Sequence, residues 1–110
     1  MALNVQCTDS AGLLGAIRKA IREKEVDTWV MDNDGDFTHS PEQWRHRAWL
    51  RPKVRDELLV FNILGRKNEK MSKTIYGVYH GRFAEMLLTH FDGEFTRVSA
   101  TALPAAGDSV

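Results

Sequence analysis

Ala48-Trp49-Leu50-Arg51-Pro52-Lys53-Val54-Arg55, then Asp56-Glu57, then Leu58-Leu59-Val60-Phe61-Asn62-Ile63-Leu64: the architecture of the chain turns on these residues. In the first segment Ala48, Leu50, Pro52 and Val54 fall on one side. Trp49, Arg51, Lys53 and Arg55 fall on the other, continuing a series that begins at Arg47. A period of two is the signature of a strand with one face in the core and one in water. The second segment is almost uniformly apolar, as expected of a strand covered on most sides. Asp56-Glu57 leaves room only for a tight turn, so the two strands form an antiparallel hairpin. Pro52 has no N–H to give to a ladder, which places the first strand at a sheet edge.

Working outward, Asp9 and Ser10 are helix N-cap candidates, and Leu13, Leu14, Ile17, Ala20 and Ile21 form one apolar stripe behind them. A helix is expected over about 10–24, with Arg18, Lys19, Arg22 and Lys24 near its C-terminal end, where cations suit the helix dipole. Glu25 to Asp32 reads as a strand, Asn33-Asp34-Gly35 as a turn, and Asp36 to His39 as a short return strand. Ser40-Pro41-Glu42-Gln43 carries a helix-start signature good for a turn or two, through about Arg47. Beyond Leu64, residues Gly65 to Lys73 form a basic loop, and Thr74 to Tyr79, rich in β-branched and aromatic residues, reads as another strand. Phe83, Met86, Leu87, His90 and Phe91 recur at helical spacing ahead of Gly93, so His90 is expected to be buried on that stripe. Phe95 to Leu103 reads as a last strand, and residues 104–110 as a small, polar tail that frays.

Strands clustered in sequence favour hairpins over parallel crossovers. The expected fold is α+β: a two-layer sandwich with a mainly antiparallel sheet of about five to six strands and two amphipathic helices on one face. With 110 residues, 43 % apolar and 27 % charged, the chain has room for one domain and one core. Cys7 is the only cysteine, which excludes an intrachain disulfide and suits a reducing compartment. Met1 to Gln6 lacks the pattern of a signal peptide, and the longest strongly apolar run, Leu58 to Phe61, is far too short to span a bilayer. A cytoplasmic location without a membrane partner is expected.

The formal net charge is zero, yet the charges are segregated. Six acids and no Lys or Arg lie between Glu25 and Glu42, whereas Arg45 to Lys73 holds nine bases against Asp56, Glu57 and Glu69. Arg47, Trp49, Arg51, Lys53 and Arg55 line one face of a strand, a ridge that suits an acidic protein surface or a nucleic acid. Arg66, Lys67, Lys70 and Lys73 extend the basic region. The alternative is internal: the acidic hairpin from Asp27 to Asp36 could lie alongside the ridge and neutralise it.

Asp32, Asp34 and Asp36 alternate as hard-cation ligands do, but a calcium loop starting at Asp32 would put Phe37 at its glycine and Gln43 at its closing acid. A metal-dependent hydrolase would need these acids to converge with His39 and His46. Lys70-Met71-Ser72-Lys73-Thr74 resembles the phosphate-gripping loop of class I aminoacyl-tRNA synthetases, over five residues and without the βα alternation those enzymes require. No catalytic set, metal site or cofactor motif is assigned. The expected function is non-enzymatic binding or regulation through the basic strand and the exposed sheet face. Nucleic-acid binding and metal-dependent hydrolysis are the alternatives, and a homodimer through sheet edges or faces is possible.

Overall fold

The computed structural model describes residues 1–110. Six strands and two helices follow in the order β1 (Ala2–Gln6), α1 (Ser10–Arg22), β2 (Trp29–Met31), β3 (Phe37–His39), β4 (Ala48–Arg55), β5 (Leu58–Gly65), α2 (Lys73–His90) and β6 (Arg97–Ala100). The strands form one sheet, ordered β2-β3-β4-β5-β1-β6, and all strand pairs are antiparallel. This is the expected α+β sandwich. No helix is long and apolar enough to cross a membrane.

The central hairpin forms as read, with Ala48 opposite Gly65 and Arg55 opposite Leu58. Alternation then sends Leu59, Phe61 and Ile63 to the helix side, where each is fully buried. On α1, Asp9 caps by accepting from the Gly12 amide at 2.9 Å, and Leu13, Leu14, Ile17 and Ile21 are buried. On α2, Ser72 caps by accepting from the Ile75 amide at 3.1 Å, and Tyr79, His80, Phe83, Met86 and Leu87 are buried. Phe83 is the keystone of the contact between α2 and the sheet. Its ring lies 4.7 Å from that of Phe61, 4.9 Å from Trp29 and 5.7 Å from Phe37. Burying one such ring contributes about 1.5–3 kcal/mol, and edge-to-face contacts like that with Trp29 add roughly 0.5–1.5 kcal/mol each.

Several elements depart from the sequence expectation. Thr74 to Tyr79 is not a strand but the first part of α2. The Ser72 cap starts a helix there, and placing Tyr79 one turn before Phe83 lets both rings pack on Trp29. His90 is exposed. Its helical angle matches the stripe, but it is the last residue of α2, and Phe91 at the C-cap turns inward instead, 6 % exposed. The buried histidine of α2 is His80. The 40–47 segment forms turns rather than a helix, with the Trp44 and Arg45 amides both donating to the Pro41 carbonyl. Ala2 to Gln6, for which no strand was expected, is β1 and pairs on both sides. β4 is an interior strand by order, but β3 pairs with it only at Phe37–Leu50. The half of β4 that contains Pro52 therefore has β5 as its single strand neighbour.

Residues 104–110, expected to fray, are tied down. β1 covers β5 only as far as Asn62, and the tail takes over beyond it. Ser109 donates to the Ile63 carbonyl at 3.0 Å, and its own carbonyl accepts from the Gly65 amide at 2.7 Å. Asp108 accepts from the Ala105 amide (2.7 Å), Asn62 Nδ2 (2.9 Å) and the Ile63 amide (3.1 Å), and the Met1 ammonium lies 3.2 Å away. Burial alone would raise the Asp108 carboxyl pKa, but these hydrogen bonds and the ammonium together lower it. The turn that delivers Asp108 needs Gly107, whose φ is +97° and whose added Cβ would lie 2.6 Å from Asn62 Oδ1.

Asp108→Asn is expected to destabilise the fold at neutral pH by roughly 1–3 kcal/mol, because buried donors lose a charged acceptor. A carboxyl with a lowered folded pKa stabilises fully above the unfolded value of about 3.9 and loses that contribution as pH falls through the folded value. Urea melts at stepped pH should therefore show wild type and Asp108→Asn converging in acid. Gly107→Ala should be destabilised at every pH.

Candidate binding surface on the open sheet face

The helices occupy one side of the sheet, and alternation fixes what the other side carries. β4 presents Trp49, Arg51, Lys53 and Arg55; β5 presents Leu58, Val60, Asn62 and Leu64. β1 adds Ala2, Asn4 and Gln6, and β6 adds Arg97 and Ser99; of these residues Ala2, Val60 and Asn62 are buried, Asn62 against the C-terminal tail. The register makes rows across the strands: Arg55, Leu58, Gln6 and Arg97 in one, Lys53, Val60, Asn4 and Ser99 in the next. No strand residue of these rows is acidic. Arg97 and the polar residues of β1 extend the surface beyond the expected ridge. Their signal was the alternation of Ala2 to Gln6, which places Leu3 and Val5 inward.

The ridge divides. Arg51 makes a two-pronged pair with Asp36, Nε to Oδ1 at 3.0 Å and a terminal nitrogen to Oδ2 at 2.7 Å. The Asp36 side chain is 4 % exposed and that of Arg51 54 %, so the carboxylate is the member that depends on the pair. Hydrogen bonding to Asp36 and then its charge raise the Arg51 pKa further, with smaller help from Asp34 and Asp32. Arg47 precedes β4 and lies 3.9 Å from Glu69, which also pairs with Arg66 at 3.5 Å. Trp49 is half-buried, and its ring stacks on His46 with centroids 6.3 Å apart and planes 18° apart. Lys53 and Arg55 are exposed and make no ion pair within the chain. Lys67, Lys70 and Lys73 are exposed as well, but lie apart from these rows, in the β5–α2 loop and at the start of α2.

An open cleft of about 660 Å³ adjoins the ridge, walled by the acidic turn, His46, Trp49, Arg51, Leu64 and Ser109. Ligand oxygens of Asp32, Asp34 and Asp36 come within 4.8 Å of one another. Two of the three acids already have structural partners: Asp32 Oδ1 accepts from the amides of Asp34 and Asp36, each at 2.9 Å, and Asp36 holds Arg51. His39 does not join them. It faces the helices, 4 % exposed, with its ring 4.5 Å from that of Trp29 and Nδ1 2.7 Å from the Thr28 carbonyl. The convergence of both histidines with the acids that the alternative hydrolase reading would need is absent: only His46 reaches the cleft. Cys7 is buried, burial raises its thiol pKa, and its Sγ lies 3.6 Å from the Val5 carbonyl, the environment of an unreactive thiol.

Burial lowers the His39 pKa, outweighing the opposite pull of the Thr28 carbonyl. A buried neutral imidazole favours the fold fully above the unfolded value of about 6.5 and loses that contribution as pH falls through the folded value. The melting temperature should therefore drop between pH 7 and pH 5, where few carboxyls titrate, and His39→Gln should flatten that slope whatever its absolute stability. No family model matches the chain, and comparison with curated proteins and with solved structures gives no match.

Proposed function

We propose that this is a non-enzymatic binding protein whose open sheet face takes an acidic protein partner. One observation carries the reading: Lys53, Arg55 and Arg97 project from the same side of one sheet, are exposed, and have no ion-pair partner within the chain. Three strand spacings separate Arg55 from Arg97, about 14 Å. The uncharged Leu58 and Gln6 lie between them. A rigid sheet holds such charges at fixed distances, so a complementary set of carboxylates can meet them without ordering a flexible loop. A nucleic acid would also use cations, but it gains from aromatic side chains that present free ring faces to bases. Trp49 is the aromatic residue of this face, and its ring is half-buried with His46 beside it rather than standing free. That favours carboxylates over stacked bases.

The test separates free cations from the paired one. Lys53→Glu with Arg55→Glu should leave stability within roughly 0.5 kcal/mol per exposed site and abolish binding of a polyglutamate peptide. Arg51→Glu should instead destabilise the fold by roughly 1–3 kcal/mol, because it strands the buried Asp36 carboxylate. Titrations with polyglutamate and with a single-stranded oligonucleotide, at 50 and 200 mM salt, provide the readout. Binding of the oligonucleotide alone, with a steep salt dependence, would replace the acidic-protein reading by nucleic-acid binding. Unchanged polyglutamate binding by the double mutant, or none by the wild type, would reject the surface.

A further inference from the structure

The connection from α1 to β2 holds a strained residue. Thr28 has a φ of +71°, in the left-handed region that suits Gly or Asn and that a β-branched residue adopts only at a cost. Its side chain is exposed, so core packing does not hold that conformation. The carbonyl does. It accepts from the Ser40 amide at 2.7 Å and from His39 Nδ1 at 2.7 Å. A carbonyl can only accept, so Nδ1 carries the hydrogen and the neutral ring keeps its lone pair on Nε2. That ring is 4 % exposed, with its centroid 4.5 Å from that of Trp29 and 6.1 Å from that of Tyr79. The charged groups that face it, Arg82 and Glu85, both belong to α2 and pair with each other at 3.4 Å. Tyr79 is the other titratable group against the ring, and β2 presents Trp29 to it.

We propose that His39 is a proton-operated latch on this connection: protonated at Nε2, its ring leaves Trp29 and Tyr79, the Thr28 carbonyl is released, and residues 24–29 swing open while the rest of the fold stands. Two effects drive the release. In the closed form an imidazolium loses its hydration, and its new N–H meets no acceptor: Glu85, which favours the charge, is already held by Arg82, which opposes it. In the open form the ring is hydrated and Thr28 leaves the left-handed region. With His39 gone, the Ser40 amide alone holds a strained carbonyl, and that bond opens with it. Opening uncovers Val26 and Trp29, 4 % and 3 % exposed in the closed form. It also widens the groove of about 360 Å³ that they line with Ile21 and Met31. Mild acid thus brings out apolar surface beside α1, and it does so independently of the cationic face.

Native-state amide exchange of the full chain reads the latch. The Ser40 amide should exchange through an opening insensitive to low urea, whereas Phe61, in the middle of β5, should exchange only with global unfolding. Between pH 7 and pH 5, corrected for intrinsic exchange rates, the Ser40 opening constant should rise by up to roughly 25-fold. That is the limit for a histidine freed to its ordinary pKa of about 6.5. His39→Gln should remove the rise, and His46→Gln should keep it. Thr28→Gly tests the strain by its sign. Relief of a left-handed β-branched residue should make the Ser40 opening rarer and raise the melting temperature, whereas glycine at an unstrained position does the reverse. The wild-type urea series and Thr28→Gly decide the matter even if His39→Gln does not fold. Ser40 exchange with the urea dependence of Phe61, or a Thr28→Gly variant that opens more often, would overturn the proposal. A pH dependence that survives His39→Gln, or that vanishes in His46→Gln, would overturn it equally.

Discussion

Once Leu59, Phe61 and Ile63 are buried, every backbone amide of β5 must find its partner inside the protein, because water cannot reach it. That requirement organises the molecule. β4 satisfies one side of β5 along its whole length. On the other side β1 is five residues long and stops at Asn62. Ile63 and Gly65 would be left unpaired, and the tail supplies what β1 lacks, through Asp108 and Ser109. The first and last residues of the chain are thereby drawn to the same end of one strand, where the Met1 ammonium faces the Asp108 carboxylate. A segment whose composition gives no reason to order is ordered by the unfinished ladder beside it.

The same logic explains what could be read from the sequence and what could not. The β4–β5 hairpin and α1 were legible because their periods are unambiguous and their caps and turns agree with them. The start of α2 was not. Thr74, Ile75, Tyr76, Val78 and Tyr79 prefer strands, and the Ser72 cap together with the packing of Tyr79 and Phe83 against Trp29 reverses that preference. His90 shows the limit of angular reasoning: a residue can point toward the core and still find no core beside it at a helix end. β1 was legible in principle, since Ala2 to Gln6 alternates, but five residues at a chain terminus carry little weight without the partner strand. The tail was illegible for a physical reason. Its order comes from groups on β5 that no local reading of residues 104–110 contains.

Tyr79 illustrates how the fold absorbs a local defect. β3 and β4 meet only at Phe37 and Leu50 and then diverge around the 40–47 turns. The Tyr79 hydroxyl enters that gap, donates to the Trp44 carbonyl and lies 3.1 Å from Thr38 Oγ1, which itself donates to the Ala48 carbonyl at 2.9 Å. A phenol anchored on a helix thus supplies hydrogen bonding where a longer β3 would have supplied a ladder.

The shortness of β3 also decides the fate of the charges. Phe37 opposite Leu50 sets Asp36 opposite Arg51, and the two form their pair one step beyond the last strand contact. Had the pairing continued, the next residues on that face would have been Asp34 and Lys53, and the basic strand would have been neutralised step by step. It does not continue. Gly35 takes a φ of +83°, the Asp32 carboxylate caps the amides of Asp34 and Asp36, and the chain turns back to become β2. A tight acidic turn therefore stops the neutralisation after one pair and leaves Lys53 and Arg55 facing solvent. Net neutrality in the sequence is compatible with either a sealed ridge or an open one. The position of a single turn, rather than the charge count, selects between them.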